Sequence, residues 1–226
     1  MRKVLEIGGF VAAAIMIAFG ITAIVMGFNG RHTVNTSLQN EYIVGSPDMT
    51  PTAIKAEAQK AGVSKFVTLW PSQSVAGKKI DKGSTARVFA EYMRIHTLEA
   101  TGGLTYAQMG RFLALPTAPK SATDGGGGTS DPKYAAIDPK TKQPVDNGRR
   151  NLWVTETALT TALNTSYMAD KIALFGVMVG VVLLLSGFGF GILAIGGALR
   201  NPETALGFVT KWFPQTPPKA PTVRTA

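Results

Sequence analysis

The segment from Thr155 to Leu199 places the strongest constraint on how this chain can fold. It begins with a Thr- and Asn-rich stretch of helical character and passes, without a Gly or Pro, into the uncharged apolar segment 172–199. Read as one helix at 1.5 Å per residue, it would be about 65–70 Å long, roughly twice the hydrocarbon thickness of a bilayer. The sequence therefore predicts one helix that crosses a membrane and also extends beyond it.

A second uncharged apolar segment, residues 7–28, lies near the other end of the chain. It is longer than the roughly 7–15-residue apolar core of a signal peptide. It also ends in Met26-Gly27-Phe28 rather than at a small-x-small cleavage site. We interpret it as an uncleaved anchor, which predicts a mainly α integral membrane protein with two transmembrane helices extended into a small helical extracytoplasmic domain.

Basic residues flank the outer ends of both predicted spans. Arg2 and Lys3 precede the first span, and Arg200 and Lys211 follow the second. Because Lys and Arg near membrane ends stay on the cytoplasmic side, we expect both termini to be cytoplasmic and the large loop extracytoplasmic. The predicted boundaries are a cytoplasmic N-terminus at 1–6, transmembrane helices at 7–28 and 172–199, an extracytoplasmic helical domain at 29–171 with an irregular loop at 116–150, and a cytoplasmic interfacial helix with a disordered tail at 200–226.

The composition excludes several classes of function. The net charge is +9, but the basic residues form no stripe with interleaved aromatics, so we expect no nucleic-acid partner. The chain has no cysteine, which excludes disulfides, thiolate metal sites and cysteine nucleophiles. The loop must therefore be held by its own core, by the two helices or by a partner.

Small residues recur along one face of each predicted span, at spacings of four and seven. In lipid such residues allow close backbone approach between helices. An antiparallel pair within one chain and docking against another protein's helix both fit this pattern. The predicted helix-packing residues are Gly9, Ala13, Gly20, Gly27, Gly176, Gly180, Gly187 and Gly191.

The loop contains two clear helix signals and one weak strand signal. Thr50-Pro51 and Gly62 bound a short helix, whereas Val63–Trp70 has strand character. A second helix begins at Ser84 or Thr85 and ends at Thr101, before Gly102-Gly103. Its predicted buried face carries Phe89, Met93, His96 and Ala100, with Tyr92 and Ile95 beside it. We expect this helix to pack on a stripe formed by Leu152, Leu159, Leu163 and Tyr167.

Three aromatic residues are predicted to lie at the membrane interface, where amphipathic rings are enriched. They are Trp153 on the loop side, and Trp212 and Phe213 in the segment after the second span.

No motif predicts a cofactor or a metal. His32 and His96 are the only histidines, which excludes a three-histidine site, and nothing in the sequence brings them together. The glycine run 125–128 is not followed by the Lys-Ser or Lys-Thr of a phosphate loop. No ionisable residue lies inside either span, which does not favour a transporter.

Four stretches of the chain resemble one protein family. They are YMRIH at 92–96, LEATGG at 98–103, TYAQM at 105–109 and WVTETALTTALNTSY at 153–167. The family consists of uncharacterised two-span membrane proteins from actinobacteria, and some members are labelled aromatic ring-opening dioxygenases. The resembling stretches contain one histidine and no recognisable iron-ligand set, so they do not support that activity. The resemblance implies a bacterial plasma membrane and a loop on the wall side.

These observations together predict a non-enzymatic role. We expect an accessory or structural subunit that packs in the lipid bilayer with other integral membrane proteins or with copies of itself. The alternative is a self-associating membrane scaffold or an extracytoplasmic sensor of a small ligand.

Overall fold

The computed structural model describes residues 2–196, and this part of the chain is mainly helical. Its four helices are α1 (Arg2–Asn40), α2 (Pro51–Lys60), α3 (Gly83–Thr101) and α4 (Gly148–Ile195). Two short antiparallel strands are β1 (Phe112–Leu113) and β2 (Gly128–Thr129). The chain contacts define two units, residues 2–28 with 174–196, and Asn29–Ala173. The predicted cytoplasmic segment 200–226, with Trp212 and Phe213, lies outside the described residues.

Helices α1 and α4 are long and apolar enough to cross a membrane. The qualifying segments are Lys3–Asn40 and Gly148–Ile195, and the most apolar 18-residue window of each has a mean hydropathy of 2.4. Both helices continue well beyond their uncharged segments, as their sequences predict. Helix α4 begins seven residues before Thr155, where the Asn147 side chain accepts a hydrogen bond from the Arg149 amide at 3.2 Å.

Helix α2 follows its predicted end signals. The Thr50 hydroxyl accepts a hydrogen bond from the Ala53 amide at 3.2 Å, and Pro51 occupies the first turn, where its missing N–H costs nothing. Gly62 adopts a φ of +71°, which turns the chain away after the helix ends. The helix buries Ile54 and Ala58 completely, so it contributes directly to the core of the second unit.

Helix α3 is the centre of that core. It ends at Gly102 in the left-handed conformation, with a φ of 67°, as predicted. It begins slightly earlier than predicted, because the Thr85 hydroxyl accepts from the Lys82 amide at 3.3 Å and Lys82 is the capping position. Its fully buried side chains include Ala86, Tyr92 and Ile95.

The predicted orientation of α3 is wrong in one respect, since Ala100 is exposed. Helix α3 shares one apolar cluster with Ile54 and Ala58 of α2 and with Leu163 of α4. Because α2 and α4 both pack against α3, a wide part of the α3 surface is buried, and Tyr92 and Ile95 lie at its centre. A single-face prediction cannot represent that arrangement.

The α4 stripe that packs near α3 also differs from the prediction. Leu163 is buried and Leu159 packs against the same core, but the side chain of Leu152 is 41% exposed. Trp153 and Glu156 are buried instead, at 6% and 3% exposure. The stripe therefore begins one residue later than its first predicted leucine, and it includes a carboxylate.

The predicted strand at Val63–Trp70 is wrong. The segment contains a 3₁₀ turn at Ser64–Phe66, and Val67 and Trp70 pack against the core from irregular backbone. A strand requires a hydrogen-bonding neighbour. Within residues 2–196 the only regular strand pairing is that of β1 with β2.

The segment between α3 and α4 is irregular but extensively bonded to itself. In the β1–β2 pair, Phe112 lies opposite Thr129, and isolated bridges join Ala114 to Ala135 and Ile137 to Pro144. The buried Asn147 side chain donates to the Gly110 carbonyl at 2.9 Å. These contacts connect the segment to the start of α4.

Candidate functional site

The glycine stripes of α1 and α4 face each other in the first unit. A Cβ atom added at Gly180 would lie 2.7 Å from the Gly20 carbonyl oxygen, and one at Gly20 would lie 2.9 Å from the Gly180 carbonyl oxygen. A Cβ at Gly187 would lie 3.1 Å from the Ala13 carbonyl oxygen. The contacting positions on α1 go from Gly20 to Ala13 as those on α4 go from Gly180 to Gly187. The two helices are therefore antiparallel, and their backbones are in contact.

Two more of the predicted packing residues make looser contacts along the same helix pair. A Cβ at Gly176 would lie 3.8 Å from the Ala23 carbonyl oxygen, and one at Gly191 would lie 3.8 Å from the Ala13 Cβ. Gly9 and Gly27 are buried. The structure therefore uses this stripe for a contact within the chain, one of the two arrangements that the sequence leaves open.

The outer surface of the helix pair is apolar. Large exposed side chains cover both helices in this unit; they include Phe10, Phe19, Phe28, Phe175, Val182, Leu185, Phe188 and Ile192. Leu185 is 68% exposed, which is far from its usual burial in a water-soluble protein. This surface is a large apolar patch of the kind that contacts lipid or another protein.

In the second unit an ion pair connects α1 to α4. The Arg31 Nε donates to the Asp170 Oδ1 at 2.9 Å, and Asp170 is almost fully buried. The start of α3 lies against the same place, since a Cβ at Gly83 would be 2.8 Å from the Asp170 Cβ. Arg31 and Asp170, which lie close to the loop-side ends of the two uncharged segments, therefore have a structural contact.

A polar groove lies between α3 and α4 in the second unit, with a volume of about 360 Å³. Arg87 and Glu91 of α3 form an ion pair at 3.5 Å, and the Arg87 guanidinium lies 5.0 Å from the centre of the Tyr167 ring. The remaining polar lining comes from Arg94, Glu156, Thr160 and Asn164. Burial raises the pKa of Glu91, against the opposing charge and hydrogen bond of Arg87.

Glu156 is the most deeply buried charged group of this groove. Burial raises the pKa of the Glu156 carboxyl, while the charge of Arg94 and the hydroxyls of Thr157 and Thr160 oppose the shift. Its Oε1 has no hydrogen-bond partner among the described residues. Glu156 was not among the predicted buried residues, although its spacing of three from Trp153 and seven from Leu163 places it on the buried face.

Glu156→Gln is expected to remove a pH dependence of stability. Because the folded pKa of Glu156 lies above its ordinary value of 4.5, the folded protein holds this proton more tightly than the unfolded chain. The resulting contribution of Glu156 to the free energy of unfolding is fully present below pH 4.5 and is lost as pH rises through the pKa of the folded protein. Relative to the wild type, the variant should therefore become more heat-stable as pH increases from 4.5 to 8, measured as unfolding midpoints in detergent.

Glu41→Gln is the matched control, since Glu41 is exposed just beyond α1. This variant should follow the wild-type pH profile. A Glu156→Gln variant whose midpoint differs from the wild type by the same amount at every pH would contradict the assignment.

Trp153, predicted to be interfacial, is instead part of a buried cluster with Leu98 and Met109. The Arg94 guanidinium lies 5.2 Å from the centre of its ring. The ring also lines an open apolar groove of about 640 Å³, together with Tyr106, Val154 and Ala158. The residue precedes the uncharged segment of α4 by about five helical turns, so its aromatic character serves packing within the second unit.

A cluster of acidic side chains surrounds His96. One ligand atom each from Asp48, Glu57 and His96 lies within 4.8 Å of the others. The His96 Nδ1 is 3.4 Å from the Glu99 Oε2, and the His96 Nε2 is 3.4 Å from the Asp48 Oδ2. Burial raises the pKa of Glu99; His96 opposes the shift, and the negative charges of Glu57 and Asp48 add to it.

His96 is half-buried, as its place on an amphipathic helix predicts. His32 is exposed on α1 and does not belong to the cluster that the described residues form. The cluster was not predicted from the sequence, because Asp48 and Glu57 approach His96 only when α2 packs on α3.

Comparison of the chain with models of known protein families, with curated proteins and with solved structures finds no match.

Proposed function

We propose that this protein is a two-span integral membrane protein of a bacterial plasma membrane and a non-enzymatic accessory or structural subunit of a membrane assembly. Its termini are cytoplasmic, and residues 29–171 form an extracytoplasmic domain. The observation that carries the proposal is the low burial of the two apolar helices. Only 17% of each most apolar window is buried inside the protein, whereas the core helix of a soluble protein is mostly buried.

Close packing of α1 on α4 supports an uncleaved N-terminal helix. The Gly20 and Gly180 backbones touch, so loss of α1 would expose a groove on α4 that is shaped for another backbone. The same contact leaves no room for a solute between the helices at that level. The uncharged interior of both spans agrees with a packing role rather than a transport role.

A partner of this subunit would bind the outer surfaces, because the glycine stripe already receives the chain's own second helix. The exposed rings and aliphatic side chains of α1 and α4 offer a surface to lipid and to neighbouring transmembrane helices. Other integral membrane proteins and further copies of this chain are both partners of that chemistry. We also propose that the chain is related to the actinobacterial family of two-span membrane proteins that it resembles.

One observation favours the second candidate, an extracytoplasmic sensor of a small ligand. The groove between α3 and α4 contains a buried carboxylate whose Oε1 has no hydrogen-bond partner among the described residues. A buried acceptor in that state favours a ligand that donates a hydrogen bond.

Extraction from native membranes in a mild detergent tests the main proposal. We expect the chain to elute in a complex larger than its 23.9 kDa monomer plus detergent, with a second membrane protein in stoichiometric amount. Mass spectrometry of the complex identifies the partner. A stable monomer that retains its folded domain and binds no second protein would contradict the accessory role.

A single introduced cysteine separates a heteromer from a homomer, because the natural chain has none. Leu185→Cys places the thiol on the exposed face of α4, whereas Gly180→Cys would place it in the helix contact. A symmetric disulfide dimer of Leu185→Cys in membranes would support the scaffold alternative. A cross-link only to a protein of different mass supports the accessory subunit.

A further inference from the structure

We propose that Asp48, Glu57 and His96 form a binding site for one divalent transition-metal cation of the zinc class, with Glu99 as the residue that orients the imidazole. This inference goes beyond the proposed membrane role and does not depend on it.

Three separate parts of the second unit bring the ligand atoms together. Asp48 lies in the loop before α2, Glu57 on α2, and His96 on α3. Metal bonds of about 2.0–2.2 Å with tetrahedral angles place ligand atoms about 3.3–3.6 Å apart. The Asp48 Oδ2 and the His96 Nε2 are separated by 3.4 Å, which matches that spacing.

The surroundings of the His96 Nε2 atom also favour a cation. Its Nε2 atom is enclosed by the protein and has no hydrogen-bond partner among the described residues. The Nδ1 atom contacts the Glu99 carboxylate at 3.4 Å, and a proton on Nδ1 would leave the Nε2 lone pair available to a metal. A lone pair that faces the Asp48 carboxylate at 3.4 Å favours a cation between the two acceptors, either a proton or a metal ion.

The Glu99 contact has the form common at metal sites. A metal-ligating histidine almost always donates its other N–H to a carboxylate, a carbonyl or water, which fixes the tautomer and the ring. Asp48 is oriented in a similar way, since the Ser46 hydroxyl donates to its Oδ1 and leaves Oδ2 toward the ring. The donors are therefore held before a cation binds.

The charge of the cluster agrees with a cation. Asp48, Glu57 and Glu99 surround one imidazole, and no ion pair of the described residues joins any of them to a lysine or an arginine. A divalent cation would compensate this excess of negative charge. One imidazole nitrogen with two carboxylate oxygens favours zinc-class cations, whereas Mg²⁺ and Ca²⁺ prefer oxygen ligands alone.

Calorimetric titration with Zn²⁺ alone tests the site in the full chain. The protein is purified in detergent with an affinity tag that contains no histidine, and a chelator removes prior metal. We expect one Zn²⁺ per chain, an increase in the unfolding midpoint on binding, and weaker binding of Mg²⁺. Glu99→Gln should weaken Zn²⁺ binding by about 10- to 100-fold, and His96→Ala by more than that.

The second histidine provides the matched control, because His32→Ala removes an exposed imidazole outside the cluster and should leave Zn²⁺ affinity unchanged. Asp48→Asn conserves shape and serves if His96→Ala fails to fold, as judged by circular dichroism without metal. Absence of saturable Zn²⁺ binding, or equal affinity in the wild type, Asp48→Asn and His96→Ala, overturns the proposal. The second result would leave His96 as a member of an ion-pair network only.

Discussion

Replacing Gly180 with Leu is expected to break the contact between α1 and α4 and to cause one of the two largest losses of stability we predict. A Cβ at this position would lie 2.7 Å from the Gly20 carbonyl oxygen and 3.0 Å from the Ile24 amide nitrogen. Backbone atoms of a helix cannot rotate away as a side chain can, so the helices must separate along the contact. Overpacking of this kind costs about 3 kcal/mol, the upper part of its usual range.

Thermal unfolding in detergent, followed by circular dichroism, measures this effect. A loss of about 3 kcal/mol lowers the midpoint of a chain of this size by about 6–12 °C. Gly189→Leu is the control, because a Cβ at Gly189 meets no atom within 4 Å although it lies on the same helix. Equal midpoints for the two variants would show that α1 and α4 do not pack through Gly180.

The same pair of variants bears on the proposed assembly. If partners bind the outer apolar surface, Gly189→Leu leaves the chain folded and reports on assembly alone. Gly180→Leu lowers monomer stability first, and the complex is then lost as a consequence. Assembly that survives Gly180→Leu in a folded chain would place the partner away from this contact.

The sequence predicts the two long apolar helices, for a physical reason. Absence of charge over the length of a span is a local property, and a spacing of four and seven places Gly20 and Gly27 on one face of any helix. The end signals of α2 and α3 are local too, since Thr50 and Gly102 act on neighbouring backbone. Neither the apolar helices nor the helix ends depend on which part of the protein packs against the helix.

The contacts that depend on distant partners could not be predicted. Leu152 and Glu156 lie four residues apart on the same face of α4, and only the position of the packing partners decides which of the two is buried. A leucine at 41% exposure and a glutamate at 3% invert the usual preference of both residue types. The acidic cluster at His96 has the same origin, because Asp48, in the loop before α2, and Glu57, on α2, are distant from α3 in the sequence.

The irregular segment before α4 shows most clearly what could not be predicted from the sequence. Its glycines and prolines predict turns, and the sequence leaves open whether the loop is held by its own core, by the two helices or by a partner. In the structure Gly110 contacts Gly128 and Thr129 so closely that no side chain fits between them. Internal backbone contacts of this type have no sequence period, so composition alone cannot distinguish them from flexible chain.

Gly110→Ala is therefore expected to unfold this segment locally and to be the second large effect. The added Cβ would lie 2.2 Å from the Thr129 amide nitrogen and 2.5 Å from the Gly128 carbonyl carbon. Thr129 is fully buried, and its hydroxyl donates to the Ala122 carbonyl at 2.7 Å, so it cannot move without breaking further bonds. We expect a loss of about 3 kcal/mol or more, since backbone rather than a side chain must shift.

Limited proteolysis with trypsin measures this loss, because Arg111, Lys120, Lys133 and Lys140 lie within the segment. The wild type should resist cleavage there at trypsin levels that cut Gly110→Ala, since cleavage follows the population of the locally opened state. Gly148→Ala is the control, because a Cβ at Gly148 meets no atom within 4 Å, and alanine favours the first turn of α4. Rapid cleavage of the wild type in isolation, with protection only in a native membrane complex, would instead show that a partner orders the segment. The two outcomes distinguish a domain that folds alone from one that depends on its assembly.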